Sequence, residues 1–147
     1  MRARDAIIPD PLTVAPTTTL LQFVLAVLDG NQTTASVVDA GRLVGVVSVE
    51  DVFRRLLPHY VGMTGSLATI LHESYFEEVF ERFKNTDVAS VMSRDVDSIA
   101  PDEPLMHAVE KFVHKWRKTL PVIDGGRFVG VVTRRSVLAA ATRLAGA

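Results

Sequence analysis

Cysteine is absent from all 147 residues, which removes disulfides, thiolate metal sites and a cysteine nucleophile together. An excess of charge of one sign is missing too. The formal net charge is −1 and the pI is near 6.4, so the chain has no basic stripe of the kind that nucleic-acid backbones require. No apolar run is long enough to span a bilayer: the most apolar segment, Leu20 to Leu28, is short and contains Gln22. The opening residues, MRARDAIIPDPL, lack the apolar stretch of a signal peptide, and the expected location is the cytoplasm, with no membrane insertion. His59, His72, His107 and His114 are scattered without metal-ligand spacing and read as surface residues. Neither a nucleophile-elbow sequence nor a G-x-x-x-x-G-K-[ST] phosphate loop is found. Catalysis has no support, and neither an enzyme nor a resident cofactor is expected.

What the chain does have is a repeat. An offset of 85 positions lays TVAPTTTLLQFVLAVL…VVDAGRLVGVVSVEDV over SIAPDEPLMHAVEKFV…VIDGGRFVGVVTRRSV, matching Pro16 to Pro101, Leu20 to Leu105, Asp39 to Asp124 and Gly45 to Gly130. Agreement of this kind without a gap marks a duplicated structural unit. With 48% hydrophobic residues, the chain can bury one sizeable core or two small ones sharing an interface, and since either repeat alone would be marginal the halves are expected to fold as one unit. Two copies of one fold then face each other across a pseudo-two-fold axis, and the groove between them is the place to seek a site.

Both copies read alike along the chain. A short extended piece (Thr13–Val14; Ser98–Ile99) precedes a proline-containing turn. A helix follows, from Leu20 to about Asp29 with Gly30 as a left-handed cap, and from Pro104 to about Lys115 in the second copy. Two β-branched runs joined by a Gly-containing turn then signal a hairpin. Each copy closes in a helix, Val49–Leu57 and Arg134–Leu144. The expected fold class is α+β, two pseudo-symmetric βαββα repeats, at residues 8–60 and 88–147. The segment 61–87 between them is expected to hold helices at Ser66–Leu71 and Glu73–Lys84. The second places Phe76, Val79, Phe80 and Phe83 on one face, a pattern of core packing.

Ser48 and Asp51 stand where the first hairpin ends and a helix begins. A hydroxyl and free N–H groups at a helix start favour a phosphate or another acceptor. The same Ser-x-x-Asp spacing is also a capping box, and for Ser48 both roles can hold at once. The second copy reads Thr133-Arg134-Arg135-Ser136. Its hydroxyl is kept, but Ser136 replaces the carboxylate and offers one neutral hydrogen bond in place of two charge-assisted ones. Arg134 and Arg135 are either phosphate contacts or solvated surface charges.

The run V-V-D-x-x-G-R-L-V-G-V-V-S-x-x-D-V, repeated as V-I-D-G-G-R-F-V-G-V-V-T-x-x-S-V, resembles the CBS domain, and a tandem pair of these resembles a Bateman module. The resemblance covers about Ile8 to Leu144. It implies a regulatory module that senses an adenosine-containing ligand, AMP, ADP, ATP or S-adenosylmethionine, in the cleft between the repeats. The change would be signalled to a separate, unidentified partner protein. It also implies that Asp51 holds the ribose hydroxyls, and that an apolar adenine slot is lined by Thr13, Val14, Ala35 and Val37. In a weaker second pocket, Ser98, Ile99, Leu120 and Val122 take the same places beside Thr133, Arg134, Arg135 and Ser136. The other reading is a ligand-free dimerisation or scaffold module. A homodimer is expected in either case. The first helix is apolar almost all round, with Leu25 and Ala26 at positions where its counterpart has Glu110 and Lys111. Cover by the linker helix within one chain is the alternative.

Overall fold

The computed structural model describes residues 1–8, 10–57, 73–115 and 117–146. The first half consists of β1 (Thr13–Val14), α1 (Leu20–Asp29), β2 (Thr34–Asp39), β3 (Arg42–Ser48) and α2 (Val49–Leu56). A connecting helix, α3 (Tyr75–Phe83), leads to the second half: α4 (Leu105–His114), β4 (Thr119–Asp124), β5 (Arg127–Thr133) and α5 (Arg134–Leu144). The helix expected at Ser66–Leu71, together with His59 and His72, lies outside the described residues.

The duplication is visible bond by bond. β1 pairs parallel with β2, and β2 antiparallel with β3. In the second half β4 pairs antiparallel with β5, and only Ile99 bridges in parallel to Val122 where a strand was expected. Both hairpins turn on two residues of positive φ, Ala40 and Gly41 (51° and 79°) and Gly125 and Gly126 (57° and 85°). That backbone matches the twist of the flanking strands. Both carry an irregularity at the same place, Val37/Val38 and Val122/Ile123.

Two helix ends differ from expectation. Gly30 is extended (φ −126°, ψ −162°), its N–H reaching Val27 O at 3.3 Å, so α1 leaves directly into a strand-like path instead of a left-handed cap. Pro104 precedes α4 at ψ 138° and is its cap, not its first helical residue. The Glu103 carboxylate accepts from the Ala100 N–H at 2.6 Å, and this bond, helped by His107, holds its carboxyl below the usual 4.5 although burial pushes it up. A depressed folded pKa contributes stability that is complete above the unfolded value and lost as pH falls through the folded one. Glu103→Gln should therefore lower the melting temperature at pH 7 and leave it nearly unchanged at pH 3. Denaturation followed by circular dichroism at both pH values checks this, and an equal deficit at both contradicts it.

Each half is completed by a segment from the other. A turn at Ala3–Ala6 packs on the second half: Ala3 N–H donates to Glu103 O at 2.9 Å, and Ile8 bridges to Val131 of β5. A matching turn at Val88–Ser90 packs on the first: Val88 N–H donates to Thr18 O at 2.8 Å, and Ser93 bridges to Val46 of β3. The two buried clusters follow this exchange. Phe23, Val37 and Val47 share one with Val88 and with Val79 of α3. Leu120, Val122 and Phe112 share the other with Ala3 and Ala6. The sheets meet through β3 and β5, where Phe128 N–H donates to Gly41 O at 2.9 Å. Because each core includes the other half's segment, the halves are expected to unfold together.

Candidate functional site

A cleft of about 420 Å³ opens where α2 begins. One wall is the end of β3 and the first turn of α2, with Ser48, Glu50, Asp51 and Arg54. The opposite side comes from the second half: the crossing segment Ser93–Asp97 and the approach to β4, Arg117–Thr119. Thr34 and Thr119, which are repeat partners, both reach it. The pairing of Ser93 with Val46, by two backbone bonds of 2.9 and 2.8 Å, holds the crossing segment in place.

Ser48 and Asp51 form the capping box that their spacing suggests. Asp51 Oδ2 accepts from Ser48 N–H at 2.8 Å and from the Ser48 hydroxyl at 3.1 Å, while Asp51 N–H donates to Ser48 Oγ at 3.3 Å. Oδ1 accepts from Arg54 Nη1 at 2.9 Å. A carboxylate offers about four acceptor sites, so these three donors leave it room for one more. A pair of ribose hydroxyls needs one donor to withdraw. Arg54 can, since its side chain is 72% exposed while that of Asp51 is 12% exposed.

Cations and carboxylates are paired around the cleft. Lys118 Nζ donates to Glu50 Oε1 at 2.6 Å, and this bond, then the residue's own amide, holds the Glu50 carboxyl below its usual value despite slight burial. Arg117 Nε donates to Asp97 Oδ2 at 3.0 Å, with Lys115 3.5 Å from Oδ1. Burial pushes Asp97 up, but these cations outweigh it and its carboxyl also lies below the ordinary value.

The remaining slot residues lie elsewhere. Ala35, Val37, Ile99, Leu120 and Val122 are at most 1% exposed and belong to the two cores. Val14 packs half-buried on the first core. Thr13 is exposed, donates to Pro11 O at 3.1 Å and lines a different surface cleft beside Asp10 and Asp29. Ser98 lines a small cleft against Leu43–Gly45, its carbonyl accepting from Lys111 Nζ at 2.7 Å. At the start of α5, Thr133 N–H donates to Ser136 Oγ at 2.9 Å, and the Ser136 hydroxyl is used on Thr133 O at 3.0 Å. Arg134 and Arg135 are exposed, with no ion pair among the described residues. Sequence reasoning missed Thr34, Asp97, Arg117 and Lys118. The repeat offset could have drawn attention to the Thr34–Thr119 match, but a bond between Glu50 and Lys118 leaves no local signal.

Among the described residues, no three His, Asp or Glu side chains converge as metal ligands, and no helix is long and apolar enough to cross a membrane. The family model described as the CBS domain matches residues 3–58 and again 88–143. The chain belongs to the CBS-domain family. It holds two CBS repeats in tandem, and the matched spans include the Ala3–Ala6 and Val88–Ser90 turns that each repeat places on its neighbour.

One relative is the uncharacterised protein MJ1426 of Methanocaldococcus jannaschii, 31% identical over 112 residues, which span 68% of this chain and 67% of that protein. The A-adding tRNA nucleotidyltransferase of Aquifex aeolicus is 28% identical over 80 residues, 54% of this chain but 10% of the enzyme. Among solved structures, CBSX2 in complex with AMP superposes with a TM-score of 0.75 at 21% identity, covering 98% of both chains. That likeness shows the α+β fold of a CBS pair.

Proposed function

We propose that this CBS pair is a regulatory sensor, not an enzyme: it binds an adenosine-containing ligand in the cleft at α2 and passes the change to a separate partner protein in the cytoplasm. The observation that carries the reading is the position of Ser48 and Asp51. Both lie at a helix start and face a cleft whose other side belongs to the second repeat, so a ligand there touches both halves. A volume of about 420 Å³ suits a mononucleotide-sized molecule. The AMP bound by CBSX2, which shares this fold, supports the ligand class. A ligand can shift the halves only by binding one arrangement better than another, and contacts from both sides give it that means.

Thermal melting with AMP, ADP, ATP and S-adenosylmethionine tests this. At a hundred times its dissociation constant, a ligand of the folded state adds about 2.7 kcal/mol, which for a chain of this size raises the melting temperature by roughly 5–10 °C. No shift with any of the four at millimolar concentration sinks the sensor reading.

The scaffold reading has an observation of its own. α3 buries Val79 in the first core and contacts α2, yet Leu25 and Leu28 of α1 remain 55% and 74% exposed. Repeat partners are exposed alike: Leu28 with Val113, and Phe53 with Leu138. A face that repeats across the pseudo-two-fold suits a second copy of the chain, so we propose a homodimer in either reading. Light scattering that returns a monomer at micromolar concentration contradicts it.

A further inference from the structure

The exposed apolar side chains of the outer helices repeat with the fold, Leu28 with Val113 and Phe53 with Leu138, so a second copy can cover them in two ways. In a parallel pair each half meets its own equivalent. In an antiparallel pair the first half meets the partner's second half. Apolar burial is much the same in both and does not choose between them. Charge does not repeat. Helices α1, α2 and α3 carry six Asp and Glu against three Arg, whereas α4 and α5 carry one Glu against four Lys and Arg. At the offset of 85, Glu50 of α2 falls on Arg135 of α5, and Ala26 of α1 on Lys111 of α4. The imbalance runs through the chain: residues 1–87 hold eleven acidic and seven basic side chains, residues 88–147 six and nine.

Three of these charges also stand against their own helices. Asp29 closes α1, whose last turn has no basic residue, and Arg134 and Arg135 open α5, whose first turn has no acidic one. Each lies at the end where the helix dipole opposes its sign. All three are exposed, with no ion pair among the described residues. Like charges set face to face oppose association, and opposite charges fix its register. We infer that two copies of this chain associate antiparallel, the acidic helices of each first half against the basic helices of the partner's second half. The inference rests on the homodimer proposed above and gives it an orientation. A parallel pair would set the four cations of α4 and α5 against the same four. In the antiparallel pair α2, which carries Ser48 and Asp51, belongs to the face that meets the partner's second half, so a shift of α2 reaches the other copy.

Sedimentation equilibrium tests the orientation, with the dimer dissociation constant as the readout. It is measured for the wild type, for Asp29→Lys with Glu77→Lys, for Arg134→Glu with Arg135→Glu, and for all four substitutions in one chain. In an antiparallel pair either set of reversals places like charges at both contacts, and the constant should rise at least about tenfold. The four together restore opposite charges and should bring it back to within about threefold of the wild type. In a parallel pair like faces like before and after each reversal, so constants that stay at the wild-type value overturn the orientation. A combined variant no tighter than the two sets alone overturns it as well. Salt gives an answer that needs no variant: the wild-type antiparallel dimer should loosen as ionic strength rises, whereas a dimer that tightens is held apart by like charges and contradicts the inference. A wild type that is monomeric at micromolar concentration removes the homodimer itself, and the orientation with it. Melting confirms that each variant is folded.

Discussion

If the cleft is the proposed adenosine site, Asp51→Ala is expected to remove most of the thermal stabilisation that AMP would give. Hydrogen bonds from ribose hydroxyls to a charged carboxylate are worth about 1.5–3 kcal/mol, or on the order of ten- to a hundredfold in affinity. At a ligand concentration a hundred times the wild-type dissociation constant, the variant then sits at about one to ten times its own. The stabilisation falls from about 2.7 to between about 0.4 and 1.4 kcal/mol. The measurement must be the difference with and without ligand, because Asp51 also accepts from Ser48 N–H at 2.8 Å and caps α2. Losing that cap lowers the ligand-free melting temperature by itself. Ser136→Ala supplies the matched control. It removes the bond that Ser136 Oγ accepts from Thr133 N–H at 2.9 Å and should lower baseline stability too, but without touching the ligand-induced shift. A robust AMP shift in Asp51→Ala means that ribose is not held at this residue.

The second large effect comes from a glycine. Gly45 is buried in β3 opposite Val37, and a Cβ built there would lie 2.7 Å from Met92 Sδ and 2.8 Å from Ser93 O. Methionine can swing aside. The Ser93 carbonyl cannot, since it accepts from Val46 N–H at 2.9 Å and its own N–H donates to Val46 O at 2.8 Å. Gly45→Val should therefore break both bonds as well as overpack the core, a loss of about 2–4 kcal/mol and roughly 5–15 °C in melting temperature. The crossing segment Ser93–Asp97 is also a wall of the cleft, so AMP binding should be lost together with stability. Gly30→Ala is the control: its Cβ would meet only Ala26 O at 3.7 Å, so it should melt within about 2 °C of wild type. Gly45→Val with wild-type melting and binding contradicts the coupling of fold and site through Ser93.

These two variants mark where the sequence could be read and where it could not. Ser48 and Asp51 were legible because the end of a hairpin and the start of a helix are local patterns, carried by neighbouring residues. The hairpins were legible for the same reason, from two β-branched runs joined by a Gly-containing turn, whereas the positive φ of Ala40 beside Gly41 carried no sequence signal. Gly30 misled because a glycine after a helix suits a left-handed cap and an extended exit equally well, and only the strand that follows decides. The proposed adenine slot shows a further limit. Alternation along β2 tells that Ala35 and Val37 share one face, and that face is the closed core instead of an open slot. The exchange of Ala3–Ala6 and Val88–Ser90 between halves left no mark on local periodicity, although the offset of 85 relates its bonds as it relates the sequence: Leu20 N–H to Thr86 O, and Leu105 N–H to Met1 O. Arg117 and Lys118 were invisible for the same reason, since they reach the cleft only once the second repeat is folded against the first.

The most direct measurement is a crystal structure of the wild-type chain grown with millimolar AMP. The ribose hydroxyls are expected within hydrogen-bond distance of the Asp51 carboxylate, in the cleft bounded by Ser48, Thr34 and Thr119, with Arg54 withdrawn from Oδ1 to make room. AMP bound elsewhere on the chain, with the Asp51–Arg54 pair intact and the cleft holding only solvent, contradicts the assignment of this cleft as the sensing site.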